Sequence, residues 1–581
     1  MKNFRLLFKH TKYKTFIAYI VLTIVLNALS IGLTIVLPFI FGKNFSLLKE
    51  NTSIDFSLLF KYLNIAFIVI VGNTLLQLII CPLNSFLSYQ LMYELRKKLF
   101  KKLQAMPLKY LDSTPHGSII STYINDVEQV GDGLLLILNQ LISGILMVFG
   151  TVFFMFYINW FIGLFVVLFT PLSIFFAKFI TTRTYHFFRK VASERANATA
   201  NIDEYIDNIK VIKHENYGEK ASLKFKAIND ELGNYSFKAV FYSSWVNPVT
   251  RFINNTIYVV TILIGSLFII NKPIGQALDI GLLISLLSYS AYYAKPFNEI
   301  TQVFSEIQNA FASSERIINL LDEKEEDNHL EQFNMDHLSG SVDFNHVNFS
   351  YTEKPLIEDL NLHIKQGDCV AIVGSTGAGK TTIINLLMRF YSTQSGNICI
   401  DNFDIETLKK DSFRKQIGMV LQESWIKHAS IKDNVSIGKP DATMDEIIDA
   451  CKKAYIHDTI MKLENGYDTI INDSTSLSQG EKQLLCIARI MLLNPKMLIF
   501  DEATSNIDTQ TEIKIQESLK YLINNHTSFI VAHRLSTIKN ADLIIVLDHG
   551  NIIESGKHEE LLVKKGHYFE IYNAQFVQNK E

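Results

Sequence analysis

Residues Gly374 to Thr381 read GSTGAGKT, a complete G-x-x-x-x-G-K-[ST] pattern. Gly374, Gly377 and Gly379 let the backbone curl, so that the N–H groups of the stretch, those of Ser375, Thr376 and Ala378 included, face the oxygens of a phosphate. Lys380 is placed to reach a β- and a γ-phosphate and the hydroxyl of Thr381 to hold Mg²⁺, with Thr382 beside it. An apolar run, Val370–Val373, precedes the pattern, and an amphipathic run follows it. This predicts a buried strand, a glycine turn and a helix, the setting in which a helix dipole adds to the N–H groups.

Two further apolar runs end in groups able to do chemistry. KMLIFDEATSNID, from Lys496, ends its strand-like part at Asp501 and Glu502. One acid there can bind Mg²⁺ through water and a second can polarise an attacking water; the plainer reading of Glu502, a surface carboxylate at a strand end, is outweighed by the neighbouring motif. SFIVAHRLSTI, from Ser528, is tipped by His533; a histidine in such a place is by itself more often structural.

The elements that carry these groups occupy only part of the chain. Of the 581 residues, 48% are hydrophobic and 12% aromatic, and the excess lies before about residue 305. Six stretches approach the ~20 apolar residues that cross a bilayer: Phe16–Phe41, Tyr62–Phe86, Leu134–Tyr157, Phe161–Ile180, Phe252–Ile270 and Leu278–Pro296. The first is too long for a cleaved signal and reads as a retained anchor. About 15 residues precede it, which argues against an N-terminal peptidase. The opening MKNFRLLFKHTKYK is basic without an acid, which predicts a cytoplasmic N-terminus and, after six spans, a cytoplasmic second half.

Two long basic segments, 87–133 and 181–251, have helical patterning and extend two hairpins beyond the membrane. Residues 113–122 and 202–209 are the candidate docking helices at their tips. LDEKEEDNHLEQFNMDHLSG, from Leu321, is a polar linker. The predicted organisation is therefore a membrane domain over 1–320, a linker over 321–340 and a nucleotide domain over 341–577. Net charge is −3, no basis for nucleic-acid binding, and the five scattered cysteines never form CxxC, so reduced thiols are expected.

GSTGAGKTT, VLQES, LSQGEKQLL, LIFDEATSNID and IVAHRLST, in this order, resemble the nucleotide-binding domain of ATP-binding cassette transporters. The six spans with two long hairpins resemble the exporter-type (type IV) membrane domain, matched more by layout than by motif. The implied fold is an α-helical membrane domain fused to an α/β P-loop NTPase. The implied activity is ATP hydrolysis, with Mg²⁺, coupled to transport.

The resemblance assigns roles residue by residue. Tyr351, otherwise an ordinary strand tyrosine, stacks on adenine; Gln422 touches Mg²⁺ and senses the membrane domain; Asp501 binds Mg²⁺; Glu502 is the catalytic base; Asp508 is the D-loop acid; His533 is the switch near the γ-phosphate. Ser478, Gln479 and Gly480 close over the ATP of a second half-transporter, which implies a dimer. The commonest form of that segment is LSGGQ, and this chain has Gln479 and Glu481 at two of its positions. That is either harmless drift or the mark of a heterodimer with one weakened site, as in bacterial multidrug exporters.

Asn27, Asn73, Gln77, Asn139, Gln140, Asn254 and Asn255 are polar positions within spans, most of them packing contacts. Lys295 either snorkels or charges a cavity, and Pro296 should kink the last span. A hydrophobic or amphipathic small molecule suits such a cavity, with lipids, peptides and siderophores as other cargoes. A nucleotide-gated regulator or channel is the alternative to a pump.

Overall fold

The structure, a computed structural model, describes residues 13–47, 56–271, 278–326, 339–421, 424–472, 477–501, 507–524, 526–531 and 538–574. The chain divides into two compact units, residues 1–104 with 115–323 and residues 105–114 with 324–581.

The first unit is helical. Among the described residues, five helical runs are long and apolar enough to cross a membrane: Phe16–Leu47, Phe56–Ala105, His116–Ile158, Trp160–Asp207 and Gly218–Asn271. Each contains one expected span. The sixth, Leu278–Pro296, falls at the start of the helix Ile280–Asp322, which continues through Pro296. Phe67, Ile68, Phe149, Phe153 and Phe252 on these runs are exposed, as side chains facing lipid must be. The run Phe56–Ala105 has 50 residues and spans about 75 Å at 1.5 Å per residue, far more than the ~30 Å hydrocarbon core. The long hairpins are thus continuations of membrane helices.

Polar residues stitch these helices together. Ser30 donates to Asn73 at 2.7 Å, Gln77 donates to Ser30 at 2.9 Å, and Asn84 donates to Asn139 at 2.5 Å. Ser143 donates to the buried Asn27 at 3.3 Å. Four of the expected packing residues therefore do pack. Tyr289 and Ser285 donate to the carbonyls of Ile35 and Pro38, tying the last helix to the first around a proline.

Both hairpin tips carry short helices. The first carries Leu108–Ser113, bracketed by Pro107 and by extended Thr114 before Pro115, and then His116–Ser121, which lies within the expected 113–122. On the second, the expected 202–209 takes in the end of the helix Pro171–Asp207, and Ile209–His214 follows a break at Asn208. Hydrophobic periodicity runs smoothly through both tips, whereas the chain reversal is set by prolines and by the Asn208 backbone.

The second unit is α/β. A six-stranded sheet has the order β10-β9-β3-β8-β7-β6, from β3 (Cys369–Gly374), β6 (Ile417–Val420), β7 (Met497–Asp501), β8 (Thr527–Val531), β9 (Leu543–Asp548) and β10 (Asn551–Gly556). All its pairings are parallel except β9 with β10. A second, antiparallel sheet has the order β2-β1-β4-β5, from β1 (Val342–Phe349), β2 (Ile357–Ile364), β4 (Ser395–Ile400) and β5 (Phe403–Asp404).

Alternation along β3 explains the layering. Val370 and Ile372 join the core shared with the antiparallel sheet, while Ala371 and Val373 join the core under the later helices. Both faces are covered, which is why these strands read as continuous apolar runs. Cys369 and Cys451 lie inside, free, and burial pushes both thiols up to about 12.

Candidate functional site

Parallel pairing lines up the strand ends. Gly374 at the end of β3 pairs with Leu547 of β9, and Asp501 at the end of β7 pairs with Val531 of β8. Phe500 pairs with Val420 at the end of β6. The turn 375–379 leaves β3 here and the helix Lys380–Leu387 begins at once. The crevice beyond the carboxyl ends of parallel strands is where such sheets bind ligands, and the strands thus gather groups that lie more than 120 residues apart in the chain.

The phosphate loop is braced from inside and outside. Lys380, 9% exposed, folds back to donate to the carbonyls of Gly374 at 2.7 Å and Ser375 at 3.0 Å. Burial pulls its pKa below the usual lysine range and the Asp501 carboxylate opposes this. Ser375, Thr376, Gly377 and Thr381 are exposed, whereas Ala378 and Thr382 are buried. The open face of the loop is therefore formed by residues 375–377, with Thr381 exposed at the start of the helix.

The outer brace is a residue the motif does not contain. Gly550 N–H donates to the Ala378 carbonyl at 2.9 Å. It belongs to the two-residue turn His549–Gly550 between β9 and β10, with φ of 44° and 81°, the double positive φ of a type I′ hairpin. A Cβ at Gly550 would overlap the Leu356 carbonyl oxygen. Gly550→Ala is accordingly expected to lower stability by about 1–3 kcal/mol and to weaken ATP binding by loosening the loop. Thermal inactivation and ATP titration of the purified chain measure the two effects.

The segment from Leu477 is a helix start. Ser478 is the N-cap of the helix Gln479–Leu493, its Oγ accepting from Glu481 N–H at 3.2 Å while the Glu481 carboxylate accepts from Ser478 N–H at 2.8 Å. This is a reciprocal capping box, which gives the glutamate at that position a local structural use. Gly480 is buried, and a Cβ there would lie 2.5 Å from Thr511 Cγ2, so the helix needs a glycine to approach the helix Thr509–Ile523. Asp508 caps that second helix by accepting from Thr511 N–H at 2.9 Å, which holds its carboxyl below the usual range.

Tyr351 is 42% exposed, its ring edge-on to Phe349 and Tyr391 at 4.8 and 4.9 Å between centroids. Gln422, Glu502 and His533 lie outside the described residues. They follow the last residue of β6, β7 and β8 by two, one and two positions.

In the membrane unit, a cavity of about 90 Å³ is lined by Thr170, Asn254, Asn255, Tyr258, Ser290 and Ala294, among others. Asn254 and Asn255 thus line a space. Lys295 is exposed beside Ala294.

Residues 20–297 match the ABC transporter transmembrane region family, and residues 357–505 match the ABC transporter family. A putative multidrug export ATP-binding/permease protein of Staphylococcus aureus (strain NCTC 8325 / PS 47) is 33% identical over 99% of this chain and 100% of its own length. The chain belongs to the ABC transporter family. It is a multi-pass membrane protein that binds ATP and couples its hydrolysis to transport.

Other relatives of this ABC transporter include a fatty acid ABC transporter ATP-binding/permease protein of Mycobacterium bovis (strain ATCC BAA-935 / AF2122/97), 38% identical over 83% of this chain and 76% of that one. An ATP-dependent lipid A-core flippase of Syntrophus aciditrophicus (strain SB) is 31% identical over 86% and 82%. The structure of a bacterial Atm1-family ABC exporter with ATP bound superposes with a TM-score of 0.78, at 24% identity, over 97% of this chain and 99% of that one, a likeness of fold.

Sequence reasoning placed its candidate groups at the strand ends and did not single out the residues that brace them. Gly550, Tyr391 and Asp112 carry weak signals: an HG pair between two apolar runs, a tyrosine four residues after the phosphate helix, and an acid between two prolines.

Proposed function

We propose that this ABC transporter exports hydrophobic or amphipathic small molecules as a dimer of half-transporters in the bacterial plasma membrane, with its N-terminus and nucleotide domain in the cytoplasm. One observation carries the reading: a phosphate loop and an acidic strand end lie at the same end of one sheet, in a chain whose described residues include five membrane-length apolar helical runs. Relatives named for fatty acid, lipid A-core and multidrug movement support a lipophilic cargo. The cavity lined by Asn254, Asn255, Tyr258 and Ser290 mixes apolar walls with a few polar groups, which suits an amphipathic molecule. The membrane domain covers 1–320, the linker 321–340 and the nucleotide domain 341–577.

In this reading adenine stacks on Tyr351, and the N–H groups from Gly374 to Gly379, with Lys380 and Thr382, hold the phosphates. Mg²⁺ prefers oxygen ligands, and the exposed Thr381 hydroxyl with the Asp501 carboxylate forms a donor set that fits it, together with Gln422. The ion would neutralise charge on the phosphates. Glu502 takes a proton from the attacking water, His533 faces the γ-phosphate, and Asp508 holds the loop between the two half-sites. Ser478, Gln479 and Gly480 serve the ATP of the other half-transporter.

The second hairpin tip supports dimerisation. Ile206, Ile209 and Val211 are 64%, 45% and 58% exposed in the single chain, outside the apolar membrane stretches. Ile209→Asp with Val211→Asp is expected to lower turnover by about tenfold or more, since a charge would enter a docking contact, while ATP binding persists. Turnover and ATP titration in lipid nanodiscs measure this.

The function is tested with the full chain in nanodiscs and in inside-out vesicles, using oleate and a lipophilic cationic dye as probes. ATP-stimulated accumulation of either is the expected result. ATP-gated ion conductance with no movement of either probe would instead make the protein a channel. Turnover by this chain alone identifies a homodimer; rescue only by a co-expressed half-transporter identifies a heterodimer.

A further inference from the structure

The short helix Leu108–Ser113 at the first hairpin tip belongs to the same compact unit as the nucleotide domain, and two ties hold it there. At its approach, Glu326 N–H donates to the Ala105 carbonyl at 2.7 Å, while the Glu326 carboxylate takes two bonds from Arg414 at 3.0 and 3.2 Å. At its far end, the Tyr391 hydroxyl donates to Asp112 Oδ2 at 2.5 Å.

Tyr391 is also one of three rings in mutual contact. It meets Tyr351 edge-on at 4.9 Å and 87°, and Phe349 at 5.7 Å and 73°. Asn385, on the helix that leaves the phosphate loop, donates to the Tyr351 hydroxyl at 3.1 Å. Burial and the neighbouring Asp112 carboxylate raise the pKa of the Tyr391 phenol, so it remains the donor at neutral pH. Edge-to-face contacts constrain ring orientation, and a bond to a carboxylate is strong and directional.

We propose that Tyr391 is a positioning residue that ties occupancy of the exposed Tyr351 ring to the pose of the helix Leu108–Ser113. The inference rests on Tyr351 being the adenine platform. A base stacked on Tyr351 fixes that ring, the ring fixes Tyr391, and the Tyr391 hydroxyl fixes Asp112. A coupling device must make different contacts in the two states. Here the difference is a free or a covered face of Tyr351, and the route is separate from Gln422.

Hydrogen exchange of the full chain in nanodiscs, with and without a non-hydrolysable ATP analogue, tests the proposal. In the unmodified protein the analogue should protect the amides of 108–113 as well as those of 375–381. In Tyr391→Phe the analogue should still protect the phosphate loop, but its added protection of 108–113 should fall by about fivefold or more. Asp112→Asn should reproduce the loss, and the double variant should add little to it. Tripolyphosphate, which has no base, should protect the loop and not the helix.

Equal ATP-dependent protection of 108–113 with and without the Tyr391 hydroxyl would overturn the proposal. So would a loss of protection that is the same with and without nucleotide, because that is packing alone. Tyr351→Ala separates the two failures: weakened ATP binding keeps the adenine reading while Tyr391 is judged on its own, whereas unchanged ATP binding removes both.

Discussion

Glu502→Gln is expected to lower ATP turnover by about 10²–10⁴-fold, the usual contribution of a positioned general base, while ATP still binds. An amide keeps the size of the carboxylate and its ability to accept a hydrogen bond, but it cannot take a proton from water. The residue follows directly on Asp501, whose strand pairs with β8, and β8 ends two residues before His533. The proposed role of Glu502 rests on this succession at the strand ends. ATP hydrolysis and ATP binding, both measured in nanodiscs, decide the matter; turnover at the unmodified rate would remove Glu502 from the role.

Lys380→Ala should act on the other quantity. The ammonium is nearly enclosed and bridges two carbonyls of the loop it belongs to, which makes it a strut of the loop and, in the proposed reading, a charge for the phosphates. Hydrogen bonds to charged groups contribute about 1.5–3 kcal/mol, so ATP affinity should fall by roughly 10- to 100-fold. The substitution also leaves the Gly374 and Ser375 carbonyls without that donor. An ATP dissociation constant equal to that of the unmodified protein would contradict the phosphate-loop reading. Together the two substitutions separate binding from chemistry, since one spares affinity and the other attacks it first.

The altered signature has a physical context. Glu481 closes a capping box with Ser478, so its carboxylate compensates the helix start in every copy of the chain. The same carboxylate is an anion close to the serine proposed to meet a γ-phosphate, which leaves the choice between homodimer and heterodimer to the turnover of the chain by itself.

What the sequence by itself determined was whatever depends on short-range pattern. Val370–Val373 and Leu498–Asp501 are legible as strands because a strand covered on both faces must be apolar at every position. The phosphate loop is legible because a backbone that cradles phosphate needs glycines at fixed spacing and a lysine beside them. Membrane helices announce themselves by length, since lipid admits no unpaired backbone.

Tertiary structure decided what depends on residues meeting across the chain. That Gly550 braces Ala378, that Tyr391 reaches Asp112 some 280 residues away, and that Asn254 and Asn255 face a cavity while Asn73 and Asn139 stitch helices have no local signature. An asparagine within a membrane span reads the same whether it packs or lines a space. The division of the hairpin tips into short helices has a related reason: amphipathic periodicity continues through them, and the prolines around Leu108–Ser113 and the break at Asn208 set where each helix ends.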